Sequence, residues 1–470
     1  MENLSVISRN PSVIYIGAEN IDEDRIDGEF YNYKYLENEI KLKKSGIKIK
    51  VLNDVIERMN SPIGWQGIPS SSYLPHGLGV PLIRVQNVSD LILDEESLIG
   101  VEESIYDEQP AIQAQANDII ITRVGTIGRV CRIPEKINRI AMGQNLTRIK
   151  LNETLVESGF MLAYMSSKFC QIQMERYAYG GVQASLTNKN IKQLLVPIPS
   201  PEIQKYIGDK VRKAEELREE AKRLKKEAEE ILNKELNLKD VEFYIKQTNN
   251  KKYSWTESIE IEDRIDSEFY KPKYRYLSKL NNMSELSYYY KISKKRINKN
   301  IDRKIKYIDL SSVNNIIEPS DFNTKELPSR AQFLVKEGNL IISTLKGSNK
   351  ISIIPEHLND SVCSTGFIVI ASKSHLTTEY LYLVFSNKVF NMQIERYSTG
   401  SIMSGVNHDN FNKMLIPVIS NKQIIDTITN KIRKHFRLLY YSKQLIQEAK
   451  QDVEDLIEGN FDMSKVKANN

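Results

Sequence analysis

RIDGEFYNYKY at residues 25–35 returns as RIDSEFYKPKY at residues 264–274, with eight of eleven positions identical at a spacing of 239. A second landmark follows each: Glu175-Arg176-Tyr177 with Gly180, then Glu395-Arg396-Tyr397 with Gly400, at a spacing of 220. Asn190 and Leu195-Val196-Pro197 answer to Asn410 and Leu415-Ile416-Pro417, and DIIITRVGTIG from Asp118 answers in pattern to NLIISTLKGSN from Asn339. Landmarks kept in one order along 470 residues mean that one unit of about 220 to 240 residues occurs twice.

Within each copy, short β-rich runs alternate with Gly, Pro, Asn and Asp. Residues 81–85 and 118–122 are expected strands in the first copy, and residues 305–310 and 339–343 in the second. One amphipathic helix of about a dozen residues is expected before each Glu-Arg-Tyr element, with Leu162, Met165, Phe169, Ile172 and Tyr177 on one side. Residues 62–79 read as a long loop.

After each proline-punctuated element the composition changes. Residues 202–235 contain no proline, and Ile207, Val211, Ala214, Leu217, Ala221, Leu224, Ala228 and Ile231 recur in steps of three and four between charged residues. Ile425, Ile428, Ile432, His435, Leu439, Ser442, Ile446, Ala449, Val453 and Leu456 do the same in the second copy. Such stripes are coiled-coil seams, and each needs a partner. The expected fold is α+β and internally duplicated: two mixed α/β domains joined by two long antiparallel coiled-coil helices. The expected boundaries are residues 1–200 for the first domain, 201–237 for the first spacer helix, 238–420 for the second domain, 421–459 for the second helix and 460–470 for a flexible tail. Each helix packing separately on its own domain is the alternative.

Composition narrows the function. With 66 Lys+Arg against 61 Asp+Glu the chain is mildly basic, which permits nucleic-acid binding without requiring it. No apolar run reaches the roughly 18 residues of a membrane span, and MENLSVISRN lacks the pattern of a signal peptide. Cys131, Cys170 and Cys363 are too scattered for a disulfide framework or a zinc site, and the five histidines form no metal-binding spacing. No phosphate loop, dinucleotide fingerprint, Asn/Asp-Pro-Pro-Tyr/Phe tetrad or nucleophile elbow is present. The residues Gly125–Gly128 read as a turn between strands, and Asp22 with Asp24 as a solvated turn. A cytoplasmic, metal-free, non-catalytic chain is expected.

Cationic and amide side chains, by contrast, crowd the turns. Residues 291–306, KISKKRINKNIDRKIK, include Lys294, Lys295, Arg296, Lys299 and Arg303 with a single Asp, and supply either phosphate contacts or a solvated face. Arg84, Gln86, Asn87, Arg123, Arg129, Gln144, Asn145, Gln183 and Lys189 sit at strand ends, as do Lys346 and Lys350 in the second copy. Arg, Gln, Asn and Lys suit base edges in the major groove, so these positions are the candidate DNA contacts.

The repeated RIDxEFYxxxY element, the ERYxxG loop with its following prolines and the long helix after each copy together resemble the specificity subunits of type I restriction-modification systems. LIRVQNV and YIDLSSV look like that family's first recognition-domain strand. The resemblance implies a non-catalytic reader of double-stranded DNA that recruits two adenine-N6 methyltransferase subunits and optionally restriction subunits. The chain would bind no cofactor itself; S-adenosylmethionine would reside in the methyltransferase. It further implies partner docking through Arg25, Asp27, Glu29, Phe30 and Tyr31, and through Arg264, Asp266, Glu268, Phe269 and Tyr270. The alternative for these ten is packing that holds each domain to the rod. Two unlike domains imply a bipartite gapped target, with residues 60–80 and 285–305, where the copies differ most, setting the difference in sequence read. A protein-binding scaffold, or a methyltransferase-binding decoy without DNA readout, is the rival function.

Overall fold

The strands Ile119–Thr122 and Leu340–Ser343 are buried along their whole length. Such strands must be covered on both faces, because successive side chains point to opposite sides. Leu340 and Ile342 join a core with Tyr380 and Val384 of the helix Thr378–Ser386, whereas Ile341 joins a separate core with Ile308, Cys363 and Val369. Likewise Ile120 joins Ile83, Cys131 and Met142. The computed structural model describes residues 5–9, 12–18, 21, 25–62, 68–89, 91–178, 184–238, 241, 248, 255–256, 261, 264–400 and 404–467. Gly180, Gln183, Asp22 and Asp24 lie outside them.

The chain divides into two mixed α/β units, Met1–Glu216 with Ser442–Asn470, and Leu217–Tyr441. In the first, Val130–Arg132, Ile119–Thr122, Leu146–Leu151 and Ile56–Asn60 form a four-stranded sheet in that order. A five-stranded sheet runs Gln113–Ala114, Ile140–Met142, Val80–Ile83, Ile99–Val101, Tyr73–Leu74. In the second unit the corresponding sheets run Tyr290–Ile292, Phe367–Ser372, Leu340–Ser343, Ile351–Ile353 and Ser320–Asn323, Lys304–Ile308, Val362–Ser364, Ala331–Leu334. Each unit has one parallel pairing among its described strands, Val80–Ile83 with Ile140–Met142 and Lys304–Ile308 with Val362–Ser364.

Several local expectations change. The strand expected over 81–85 ends at Ile83, and Val85–Asn87 is a 3-10 turn. Tyr73–Leu74, inside the expected loop 62–79, is an edge strand; residues 63–67 of that stretch lie outside the described residues. The single helix expected before each Glu-Arg-Tyr element is two helices, Ser158–Ser166 then Lys168–Tyr177, and Thr378–Ser386 then Lys388–Tyr397. Ser167 and Asn387 break them in extended conformation, and Asn387 caps the second helix by accepting from the Val389 amide. Glu-Arg-Tyr is therefore the last turn of a helix and not a loop after one.

The long helices span Pro201–Glu235 and Lys422–Glu458. Ile231 and Leu456, expected in the stripes, are half-buried, and their neighbours Leu232 and Ile457 are the buried ones; likewise Leu438 is buried in place of Leu439. A 3.6-residue helix drifts against a strict seven-residue repeat, so such displacements accumulate. Within the second unit Lys431 binds Glu227 at 2.5 Å and Lys434 binds Glu220 at 2.6 Å, so the helix segments run antiparallel there. Within the first, Lys210 reaches Asp452 at 2.5 Å and Glu448 at 3.5 Å. Residues 461–467, expected as a flexible tail, instead fold back: the Phe461 ring meets Tyr206 at 6.1 Å, and Lys465 pairs with Asp452 at 3.2 Å. Gly208 meets the globular part of the first unit so closely that a Cβ there would lie 1.7 Å from Glu157 Oε2. Glu157 itself caps the helix Ser158–Ser166 and pairs with Arg212.

His435 sits in the second unit's seam, its Nδ1 donating to the Ala221 carbonyl at 2.8 Å. Burial pushes its pKa down to about 4 from the ordinary 6.5. The folded state thus disfavours the proton, so the stabilising effect is complete above pH 6.5 and is lost as the pH falls towards 4. The loss expected over that window is about 3 kcal/mol. In urea titrations between pH 4 and 7, His435→Leu should flatten this part of the stability profile. An unchanged slope would mean that His435 is not the responsible group.

Candidate DNA-recognition site

In the first unit the ends of four strands converge. The Gly143 amide donates to the Ile83 carbonyl at 2.8 Å, joining the turn 84–87 to the turn 143–145. The Arg123 amide donates to the Asn145 carbonyl at 2.9 Å, and its guanidinium donates to the Gln144 carbonyl at 2.7 Å. The Leu186 amide in turn reaches the Arg123 carbonyl at 3.0 Å. Arg129 reaches the Val88 carbonyl at 3.4 Å from the far side of the Gly125–Gly128 turn, where both glycines have positive φ. Arg84, Gln86, Arg123, Arg129, Gln144 and Asn145 thus share one loop cluster. Gln86, Arg129 and Gln144 are exposed; Arg84, Arg123 and Asn145 are half-buried. Lys189 is exposed on the short helix Asn188–Lys192, which begins just beyond the cluster.

Arg84 Nε and Arg123 Nε are buried and donate to no acceptor among the described residues. A buried N–H without an acceptor is costly, and burial also pulls the Arg123 pKa down. Both effects favour an incoming anionic or carbonyl oxygen. Asn87 differs from its neighbours: it is fully buried, its Oδ1 accepts from the Arg84 amide at 2.8 Å and its Nδ2 donates to Ser97 Oγ at 2.7 Å. Its amide holds the turn and is committed there.

The second unit builds the matching cluster from other side chains. The Lys346 amide donates to the Ser404 carbonyl at 3.0 Å, Val406 to Thr344 at 2.9 Å and Thr344 to Gly366 at 2.9 Å. Lys350 Nζ donates to Asn314 Oδ1 at 2.6 Å, and Asp309 holds Ser311 and Ser312 where the first unit has its Arg84–Asn87 turn. Residues 293–297 form a ribbon alongside Ala331–Leu334, with Leu334 donating to the Lys295 carbonyl at 2.8 Å and Ile297 to the Gln332 carbonyl at 2.9 Å. Lys299 Nζ donates to the Pro328 carbonyl at 2.9 Å. Lys294, Lys295, Arg296 and Arg303 are exposed.

The repeated motifs interlock within each unit. Arg25 binds Asp27 at 2.8 Å, Asp27 accepts from the Phe30 amide at 3.0 Å, and the Tyr31 hydroxyl donates to the Arg25 carbonyl at 2.8 Å. Arg25 holds the Asp27 carboxyl below its usual range. The Phe30 ring lies between two guanidinium groups, Arg25 at 4.4 Å and Arg176 at 4.1 Å, and Arg176 Nε donates to the Phe30 carbonyl at 2.9 Å. Lys34 pairs with Glu175 at 2.5 Å. In the second unit the matching separations are 2.7 Å for Arg264–Asp266, 4.8 and 4.2 Å for Arg264 and Arg396 over Phe269, and 3.0 Å for Lys273–Glu395. The Tyr270 hydroxyl likewise donates to the Arg264 carbonyl at 2.6 Å. These contacts run to the helices Lys168–Tyr177 and Lys388–Tyr397, and Phe269 also shares a core with Ala228, Leu232 and Ile432 of the long helices. Two glutamines not singled out from the sequence complete the arrangement: Gln173 Oε1 and Gln393 Oε1 each accept at 2.8 Å, from the Leu195 and Leu415 amides. Both stand two residues before a glutamate of the repeated Glu-Arg-Tyr, the signal that could have marked them.

Glu29 and Glu268 are exposed, and so is a second repeated residue. Ile26 is 85% exposed and Ile265 93% exposed, each held on the rigid turn between its Arg and Asp.

The turn geometry separates two adjacent amides. Asn87→Ala is expected to cost about 1–3 kcal/mol of stability, while Gln86→Ala stays within about 0.5 kcal/mol of the parent. Thermal unfolding of the two variants measures the contrast.

Residues 68–230 match the family described as type I restriction modification DNA specificity domain. The putative type I restriction enzyme MjaX specificity subunit of Methanocaldococcus jannaschii is 28% identical over 173 residues, covering 37% of this chain and 38% of that protein. The type I restriction enzyme EcoBI specificity subunit of Escherichia coli is 29% identical over 160 residues, 34% of this chain and 33% of that protein. These alignments thus span little more than a third of either relative. Among solved structures, the type I restriction-modification S subunit from M. genitalium is 13% identical with a TM-score of 0.42, over 89% of this chain and 97% of that one. The HsdS subunit from Thermoanaerobacter tengcongensis is 12% identical with a TM-score of 0.29, over 88% and 97%. The first loop cluster lies within residues 68–230, the stretch that is similar to that DNA specificity domain family.

Proposed function

We propose that the chain is the specificity subunit of a type I restriction-modification system. It reads a bipartite, gapped DNA target and recruits adenine-N6 methyltransferase subunits, with restriction subunits as optional partners. The carrying observation is the first unit's loop cluster, where cationic and amide side chains converge within the stretch similar to a DNA specificity domain and two buried guanidinium N–H groups have no acceptor among the described residues. Gln86, Arg129 and Gln144 are the exposed base-edge readers of that half-site; Lys346 and Lys350 serve the other. Asn87 supports the turn that presents them. Catalysis belongs to the methyltransferase, which brings S-adenosylmethionine.

The sequence repeat supports two copies of one unit, each reading its own half-site, with the long helices pairing as an antiparallel coiled coil that sets the gap. Removing seven residues from each long helix takes out about 10 Å at ~1.5 Å per residue. The gap should then shorten by about three base pairs at ~3.4 Å each while both half-sites stay the same. Single-molecule mapping of adenine methylation in cells with and without the gene reads both the target and the shift. An unchanged gap would sink the ruler role, and methylation indifferent to the gene would sink the proposal itself.

Ile26 and Ile265 support docking of one methyltransferase on each unit. The identical Arg, Asp, Phe, Tyr and Lys around them are occupied by internal contacts, which leaves the exposed isoleucine as the apolar anchor of the turn. Either Ile26→Asp or Ile265→Asp should reduce the complex from two methyltransferases to one, and the double variant to none, as weighed by mass photometry. Two copies retained by the double variant would place docking elsewhere.

A further inference from the structure

The two units are built on one plan but differ in charge. Residues 1–200 hold 21 Lys and Arg against 24 Asp and Glu, whereas residues 238–420 hold 26 against 20. The disposition of these charges differs more than their number. In the first unit several cations on the sheets are neutralised: Lys136 pairs with Glu95 at 3.1 Å, Arg139 with Asp107 at 2.7 Å and Lys150 with Glu57 at 3.1 Å. Arg148 is buried against Asp118 at 3.4 Å, and Arg132 is bound by Glu215.

In the second unit, Lys294, Lys295 and Arg296 are exposed, and no ion pair engages them among the described residues. Asp360, the carboxylate on which Lys295 and Arg303 act, is already taken by Lys336 at 2.7 Å. The one acid of the basic run, Asp302, is paired outwards with Lys325 at 3.3 Å. The run is not a loose tail either. Its backbone is fixed by the Arg296–Phe333 bridge and by Ser293 donating to the Val369 carbonyl at 2.8 Å. Lys294 and Arg296 therefore alternate with Lys295 on an ordered ribbon, and Lys294 acts electrostatically on His408 at the start of the helix that follows the 404–406 loop. An ordered, unneutralised, exposed row of cations is suited to a line of phosphates and carries no base information.

We infer that the two units divide the work of binding duplex DNA: the ribbon Lys294–Lys295–Arg296 of the second unit is the sequence-independent phosphate clamp, and the first unit reads its half-site with little phosphate contact. The inference rests on the proposed DNA-recognition role. In this arrangement most of the salt-dependent affinity comes from the second unit, and that unit holds nonspecific duplex while the first samples sequence.

The test is the slope of log K against log salt for the full chain on a random-sequence 30-base-pair duplex, by fluorescence anisotropy. Each phosphate contact contributes about 0.9 to that slope. The variant K294A/K295A/R296A should lower the slope by roughly 2 to 3, and K294R/K295R should keep it. The charge-matched variant K136A/R139A/K150A in the first unit should change it by less than about 1. Equal losses from both triple variants would overturn the division of labour, as would an unchanged slope in the second-unit variant. A native chain that binds no duplex at all would overturn the DNA-recognition reading together with the inference. Thermal unfolding matched to the parent excludes misfolding as the cause of a lost slope.

Discussion

Burial of the strands Ile119–Thr122 and Leu340–Ser343 on both faces is the constraint from which the rest of each unit follows. A strand covered on one side by a helix and on the other by a second core has no freedom to slip, because a shift of one residue would exchange the two faces. Its last residue is consequently a fixed point. Arg123 and Thr344 leave from it, and the turns 143–145, 184–186, 365–366 and 404–406 are hydrogen-bonded to those departures. The recognition loops are thus as well placed as the strand that launches them, even though their side chains differ between the units.

Much of this was legible in the sequence because it depends on repetition and pattern. The two RIDxEFYxxKY segments, the two Glu-Arg-Tyr elements and the two apolar stripes are local signals, and an internal duplicate doubles each. Other features could not be read that way. Phe30 between Arg25 and Arg176 joins residues far apart in the chain, and no local pattern states that the two motifs are one assembly. The break at Ser167 was hidden because apolar residues continue through it on both sides. Asn87 and Gln86, adjacent and chemically alike, have opposite roles, which only the tight turn distinguishes. The displacement from Leu439 to Leu438 and from Leu456 to Ile457 has a physical origin in the mismatch between helical and heptad periods.

The division between shared and unshared residues also has chemical content. What is identical in the two units is mostly consumed internally, in ion pairs, cation–π contacts and carbonyl hydrogen bonds that cost nothing in specificity. What differs lies at the strand ends, where the first unit offers guanidinium and amide groups and the second offers lysines and hydroxyls. One scaffold can therefore present unlike chemistry without altering its frame. The exposed isoleucines, together with Glu29 and Glu268, are both shared and outward-facing.

The discontinuity of the first unit bears on how the chain is made. Its final strip, Ser442–Asn470, is separated from Met1–Glu216 by the 225 residues of Leu217–Tyr441. At ~5–20 residues per second a ribosome needs roughly 10 to 45 s to cross that interval. For that time Lys210 lacks its partner Asp452, Tyr206 lacks the Phe461 ring, and Lys168 lacks Glu454 and Glu458. The nascent chain must therefore hold the first unit's sheets beside a helix still without these partners, and premature termination would release it in that state, as a substrate for chaperones and proteases.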